Sequence, residues 1–91
     1  MSPVIQGCAE EAFKQGFTVM FGVQHYGECW SSKTAERNYD KFGEKKNGCI
    51  NGVGKQNANF VYRMKGTVLS FSPIKCLFFK NILYLKYDKI K

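Results

Sequence analysis

Residues 17–31, FTVMFGVQHYGECWS, decide how this chain folds. Phe17 to Gln24 is dense in aromatic and β-branched side chains, a composition that suits a pleated, half-buried surface and predicts a strand. His25-Tyr26-Gly27 reads as a turn or bulge. Glu28 to Ser31 follows as a second extended piece, in which Cys29 faces away from Glu28 and Trp30 because side chains alternate along a strand. Upstream, Cys8 to Gln15 carries Cys8, Ala9, Ala12 and Phe13 on one stripe with Glu10 and Glu11 in the first turn. This spacing predicts a short amphipathic helix that Gly16 ends.

Downstream, Ser31, Ser32 and Thr34 are candidate N-caps, and Ala35, Tyr39 and Phe42 recur at i, i+4 and i+7 before Gly43, predicting a second helix. Glu44 to Asn57, with three glycines and three asparagines, reads as a turn-rich loop anchored by Cys49. Asn59 to Met64, NFVYRM, alternates and should rejoin the sheet. The order predicts an α+β fold, a small antiparallel sheet packed with two short helices and supported by disulfides. Ala12, Phe13, Phe21, Val23, Tyr39, Phe42, Val61 and Tyr62 are the expected core.

The chain has 91 residues, enough for one small domain, and its 44% hydrophobic and 15% aromatic content exceeds what a disordered chain carries. No window holds the roughly 18 apolar residues of a membrane span, because Pro73, Lys75 and Lys80 interrupt Thr67 to Leu85. The net charge of +7 is unevenly placed. Residues 1–64 are nearly balanced, with eight basic side chains against six acidic, whereas residues 65–91 hold six lysines against Asp88 alone. The expected organisation is a module over residues 1–64 and a basic, apolar tail over residues 65–91. Every residue of Leu77 to Lys91 except Asp88 belongs to the set that A/T-only codons encode, so the tail reads as a non-native extension from A/T-rich noncoding sequence.

Four cysteines, Cys8, Cys29, Cys49 and Cys76, raise the question of compartment. A domain of about 60 residues is marginal on its core alone, and secreted ones rely on disulfides. Residues 1–15 contain neither a basic nor an apolar signal region, which leaves a cytosolic protein or a missing beginning. The helix between Cys29 and Cys49 would fold the loop back over the strand, so a Cys29–Cys49 disulfide is expected.

In residues 8–63 the segments CAEEAFKQGF, FGVQHYGECWS, YDKFG, CINGVG and NFVYR occur in this order. Together they resemble a repeat module of secreted invertebrate extracellular proteins and, more distantly, the WSC and PAN/apple-type domains. The resemblance implies an extracellular setting, a cysteine-bearing helix on a small sheet, and a surface that binds sugars or proteins. The WSC pattern is richer in cysteines and places a further cysteine where this chain has Trp30 and Ser31. Modules of this kind begin with a Gly-Cys-Tyr strand that Met1 to Gly7 does not supply, so the chain reads as a fragment without its first strand, which would hold the partner of Cys8.

Three other chemistries fit the residues less well. Gly27-Glu28-Cys29-Trp30 resembles the surroundings of a papain-like nucleophile, but Val23 stands where the oxyanion glutamine belongs and no orienting partner serves His25. Cys8, His25, Cys29 and Cys49 are four nominal metal ligands of which only His25 and Cys29 form a tight pair, so no metal and no cofactor are expected. Lysines and aromatics interleave in the tail without a nucleic-acid-binding motif, which predicts weak, salt-sensitive association and no specific nucleic-acid partner. Gln24, Tyr26, Glu28 and Trp30, at even positions, provide a ligand surface if they project from one extended strand face, where aromatic rings, a carboxylate and an amide suit an extracellular glycan or protein. The expected function is therefore a non-catalytic binding module. The alternative is a small basic secreted peptide whose tail binds anionic membrane or matrix polymers.

Overall fold

A computed structural model describes residues 3–24, 28–67, 70–78 and 85–87. Pro3–Lys14 forms helix α1. It begins five residues earlier than the apolar stripe at Cys8 implied, because Ile5 extends that stripe by one turn and Pro3 is favourable in a first turn. Ile5, Cys8, Ala9 and Ala12 form the buried face. Glu10 and Glu11 accordingly lie mid-helix, where they accept hydrogen bonds from Gln6 and Gln15. Gly16, at φ +89°, ends the helix. The amide of Gly16 donates to Phe13 O and that of Phe17 to Ala12 O, which is the Schellman arrangement.

The strands are β1 (Met20–Gln24), β2 (Glu28–Ser31), β3 (Cys49–Ile50), β4 (Val53–Gly54), β5 (Ala58–Thr67), β6 (Ser70–Phe78) and β7 (Leu85–Tyr87). They form one curled sheet of mostly antiparallel pairs. β1 is its centre. One edge of β1 pairs with β2, and the other with β5 from Met20 to Val23 before passing to a parallel bridge between Gln24 and Gly54 of β4. β5 continues to β6, and β2 to β7. The domain is thus mostly β, not a balanced α+β fold. The second predicted helix shrinks to α2, Ala35–Asn38, because the chain must turn through Asp40 and Gly43 to reach the edge of β6. There the Phe78 amide donates to Gly43 O and the Lys45 amide to Cys76 O.

Both faces of the sheet are covered, which is why all five residues of β1 are buried. Under α1, Phe21, Val23, Cys29, Tyr62 and Met64 meet Ile5, Cys8, Ala9 and Ala12. On the opposite face, Met20, Val61 and Leu77 pack with Ala35, and Trp30, Tyr39 and Ile74 flank them. Six of the eight expected core residues belong to these clusters. Phe13 and Phe42 do not, at 38% and 37% exposed. Phe13 lies one step round the helix from a stripe that centres on Cys8 and Ala9, and Phe42 follows the point where α2 has ended.

The expected separation of a tail from the core is corrected over residues 70–78. β6 pairs with β5 from Thr67↔Ser70 to Ala58↔Phe78, and Leu77 is 2% exposed. The ladder slips between Val61 and Tyr62, where Pro73 opposes Tyr62, a position that tolerates proline because the ladder is already broken. The Cys29–Cys49 disulfide is also corrected. Cys8 pairs with Cys29 across α1 and β2, and Cys49 with Cys76 across β3 and β6, with Cα separations of 5.4 and 5.9 Å. In the sheet order β4 and β1 stand between Cys49 and Cys29, so those two cannot meet. The partner of Cys8 is in this chain and not on an upstream strand.

The 44–57 segment contains a hairpin. Asn51 and Gly52, both at positive φ, make the two-residue turn between β3 and β4. Tyr62 fastens it, its hydroxyl donating to Gly52 O at 2.6 Å. Burial raises the Tyr62 phenol from 10.0 to about 12. A raised folded-state value means that the stabilisation is complete below pH 10 and is lost as pH climbs towards 12. The native chain should lose about 2–3 kcal/mol over that window. Tyr62→Phe, about 1 kcal/mol less stable at neutral pH, should lack that component of the loss. Urea denaturation of both proteins at pH 9 and pH 11.5 checks this, and parallel losses in the two would show that the phenol is not responsible.

Candidate functional site

Antiparallel pairing brings the predicted face together in a way the single-strand reading did not describe. Gln24 of β1 stands opposite Glu28 of β2, and Gly22 opposite Trp30. Gln24, Glu28 and Trp30 therefore share the sheet face away from α1. Tyr26 and His25 lie outside the described residues. The three side chains differ in access. Glu28 and Trp30 are half-buried, whereas Gln24 is 8% exposed and belongs to the interior.

Asn59, which the sequence reading did not single out, joins this face. It lies on β5 one step beyond the Val23↔Phe60 pair and is fully buried. Its side chain occupies the space above Gly22, and a Cβ at position 22 would collide with its amide. The glycine is thus what admits an amide to the middle of an apolar face. Among the described residues, the Asn59 amide and Gln24 Oε1 find no hydrogen-bond partner. Buried amides in that condition cost roughly 1–3 kcal/mol each. The sequence signal was a polar residue near the start of the strand, two residues before Val61 on the same face.

Trp30 is held from several sides. It packs against the cluster of Met20, Ala35, Val61 and Leu77. Its strand is fixed beneath by the Cys8–Cys29 disulfide, by Ser31 Oγ donating to Met20 O at 2.7 Å, and laterally by the Trp30↔Lys86 pair with β7. Trp30 is half-buried with its indole Nε1 in the interior, and the part of the side chain left accessible stands two residues from the Glu28 carboxylate on the same face, so the pair can present an aromatic surface and a hydrogen-bond acceptor together. Cys29 points the other way and is bonded to Cys8, as Cys49 is to Cys76. Three of the four nominal metal ligands are therefore engaged as disulfides.

A second concavity, an open groove of about 200 Å³, lies between Gly16–Met20 and Ser32–Glu36. Phe17, Val19 and Ala35 give it an apolar floor, and Lys33 and Glu36 its charged rim. Glu36 is already paired with Arg63 at 3.1 Å in an exposed ion pair, which adds little stability. No protein-family model matches this chain, and comparisons with curated proteins and with solved structures found no match either.

Proposed function

We propose that the chain is a non-catalytic extracellular binding module whose ligand, a glycan or a protein, seats against Glu28 and Trp30 on β2. The observation that carries this reading is the partly accessible Trp30 side chain on the same face as the Glu28 carboxylate, on a strand tied to α1 by a buried disulfide. A preorganised aromatic platform with a nearby hydrogen-bonding group is the economical way to hold such ligands, because little side-chain freedom is lost on binding. Two disulfides in so small a domain suit an oxidising compartment. Among the described residues no helix is long and apolar enough to cross a membrane. The resemblance of residues 8–63 to secreted invertebrate modules, and distantly to WSC and PAN/apple-type domains, points in the same direction.

The test is an amide-shift titration of the full chain against neutral and sulfated oligosaccharides and against extracellular matrix protein fragments. Shifts should centre on Glu28 and Trp30. Glu28→Gln should weaken the interaction about tenfold, since it removes one charge-assisted hydrogen bond to the ligand while keeping the size and shape of the side chain. Shifts centred on the Gly16–Met20 groove would overturn the assignment. A response confined to sulfated ligands, carried by the lysines of residues 65–91 and abolished by salt, would favour the basic-peptide alternative instead.

A further inference from the structure

The two disulfides sit in opposite surroundings. Cys8 and Cys29 are wholly inaccessible, enclosed by Ile5, Ala9, Ala12, Phe21 and Val23 in the core under α1. Cys49 and Cys76 are half-buried and join a two-residue strand to the sheet's β6 side. Lys45, Lys46, Lys55 and Lys75 flank this second bond along the chain. The Lys45 amide donates to Cys76 O, and the Lys45 ammonium lies 2.9 Å from Gln56 O and over the Phe78 ring. The Lys55 amide donates to Gly48 O, next to Cys49. Lys46 is exposed on the same loop, and Glu44 is the segment's single acidic group.

We infer that Cys49–Cys76 is a thiol-exchange site open to anionic thiols of the glutathione type, and that Cys8–Cys29 is not. The incoming thiolate attacks one sulfur of Cys49–Cys76, forms a mixed disulfide there and expels the other sulfur as a thiolate. A second thiolate then attacks the mixed disulfide. Both cysteines end reduced and protonated from solvent, while the two small thiols leave as their disulfide, so two electrons pass to the protein. Neighbouring lysines favour both halves of the reaction, by drawing in an anionic reagent and by stabilising the departing thiolate. The buried pair needs the core to open before any thiolate can reach it. Once Cys49–Cys76 is broken, the β3–β4 hairpin keeps its two-residue ladder, the Gln24–Gly54 bridge, the Lys55–Gly48 and Tyr62–Gly52 hydrogen bonds and the packing of Val53, but loses its covalent tie to β6. Exchange at this site therefore loosens residues 44–54 while α1 and β1 stay in place.

The experiment exposes the full oxidised chain to graded reduced glutathione, quenches with N-ethylmaleimide and maps the label by peptide mass spectrometry. Cys49 and Cys76 should label at least about tenfold faster than Cys8 and Cys29. Amide exchange should accelerate in residues 48–54 and remain slow in Phe21 to Val23. Labelling of all four cysteines at one rate, or of Cys8 and Cys29 first, overturns the assignment. The double variant Lys46→Gln, Lys55→Gln should slow glutathione about threefold or more relative to the neutral thiol 2-mercaptoethanol. An unchanged ratio between the two thiols would overturn the preference for anionic reagents.

Discussion

A chain ending at Met64 is expected to lose its cooperative melting transition. Composition argues the opposite, because residues 65–91 hold most of the excess positive charge and look unlike the rest. The physical reason lies in what β6 supplies. It covers the long β5 edge, places Leu77 in the cluster with Met20, Ala35 and Val61, and sets the Phe71 ring edge-on to Phe21 and Tyr62 at 5.4 and 5.7 Å. It also carries Cys76, the partner of Cys49. Domains of this size have only a few kcal/mol to spare, and removing the β5 ladder, the buried Leu77 and the Phe71 ring together takes more than that. Near-ultraviolet circular dichroism and a thermal melt of the truncated chain decide the matter. A native spectrum with a sharp transition would mean that β6 is dispensable.

Phe21→Ala is expected to destabilise the full chain by about 4 kcal/mol. Phe21 is fully buried on β1, the central strand, stacked on Tyr62 at 5.2 Å between centroids and met edge-on by Phe71. Its loss opens a cavity that the strands cannot close, since β1 is pinned to β2 and β5 on its two edges. Phe13→Ala is the matching control. With that ring 38% exposed on the flank of α1, its removal should cost under about 1 kcal/mol. Urea midpoints of the two variants should therefore differ widely, and equal midpoints would place α1 differently on the sheet.

These contrasts show which parts of the fold the sequence announces. β2 matches its expected span, Glu28 to Ser31, and β1 falls within its own, because an apolar run reports a strand covered on both faces and the alternation about Cys29 reports β2. The start of α1 was missed, although Ile5 and Pro3 both signal it. The Asn51-Gly52 dipeptide between Ile50 and Val53 is a hairpin signal of the ordinary kind, hidden by the polar residues around it. β6 is harder to see. It has one fully buried residue, Leu77, and a proline at its bulge, so neither period nor composition marks it as a strand.

The site was legible only in part. Alternation puts Gln24, Glu28 and Trp30 on one face, but it does not tell which of them another strand will cover. Gln24 is buried where β1 passes from β5 to β4, and Asn59 enters the same face through the space left by Gly22, both consequences of long-range pairing. Disulfide connectivity is of the same kind. Four cysteines allow three pairings, and spacing along the chain does not choose among them.

The pairing fixes α1 on β2 and ties the β3–β4 hairpin to β6, so the whole arrangement stands on it. Non-reducing proteolysis of the oxidised chain at acidic pH, followed by mass spectrometry of the linked peptides, reads it directly. The structure requires one species linking the peptide of Cys8 to that of Cys29, and a second linking Cys49 to Cys76. A dominant Cys29–Cys49 peptide, or a free Cys8 thiol in folded protein, would contradict it.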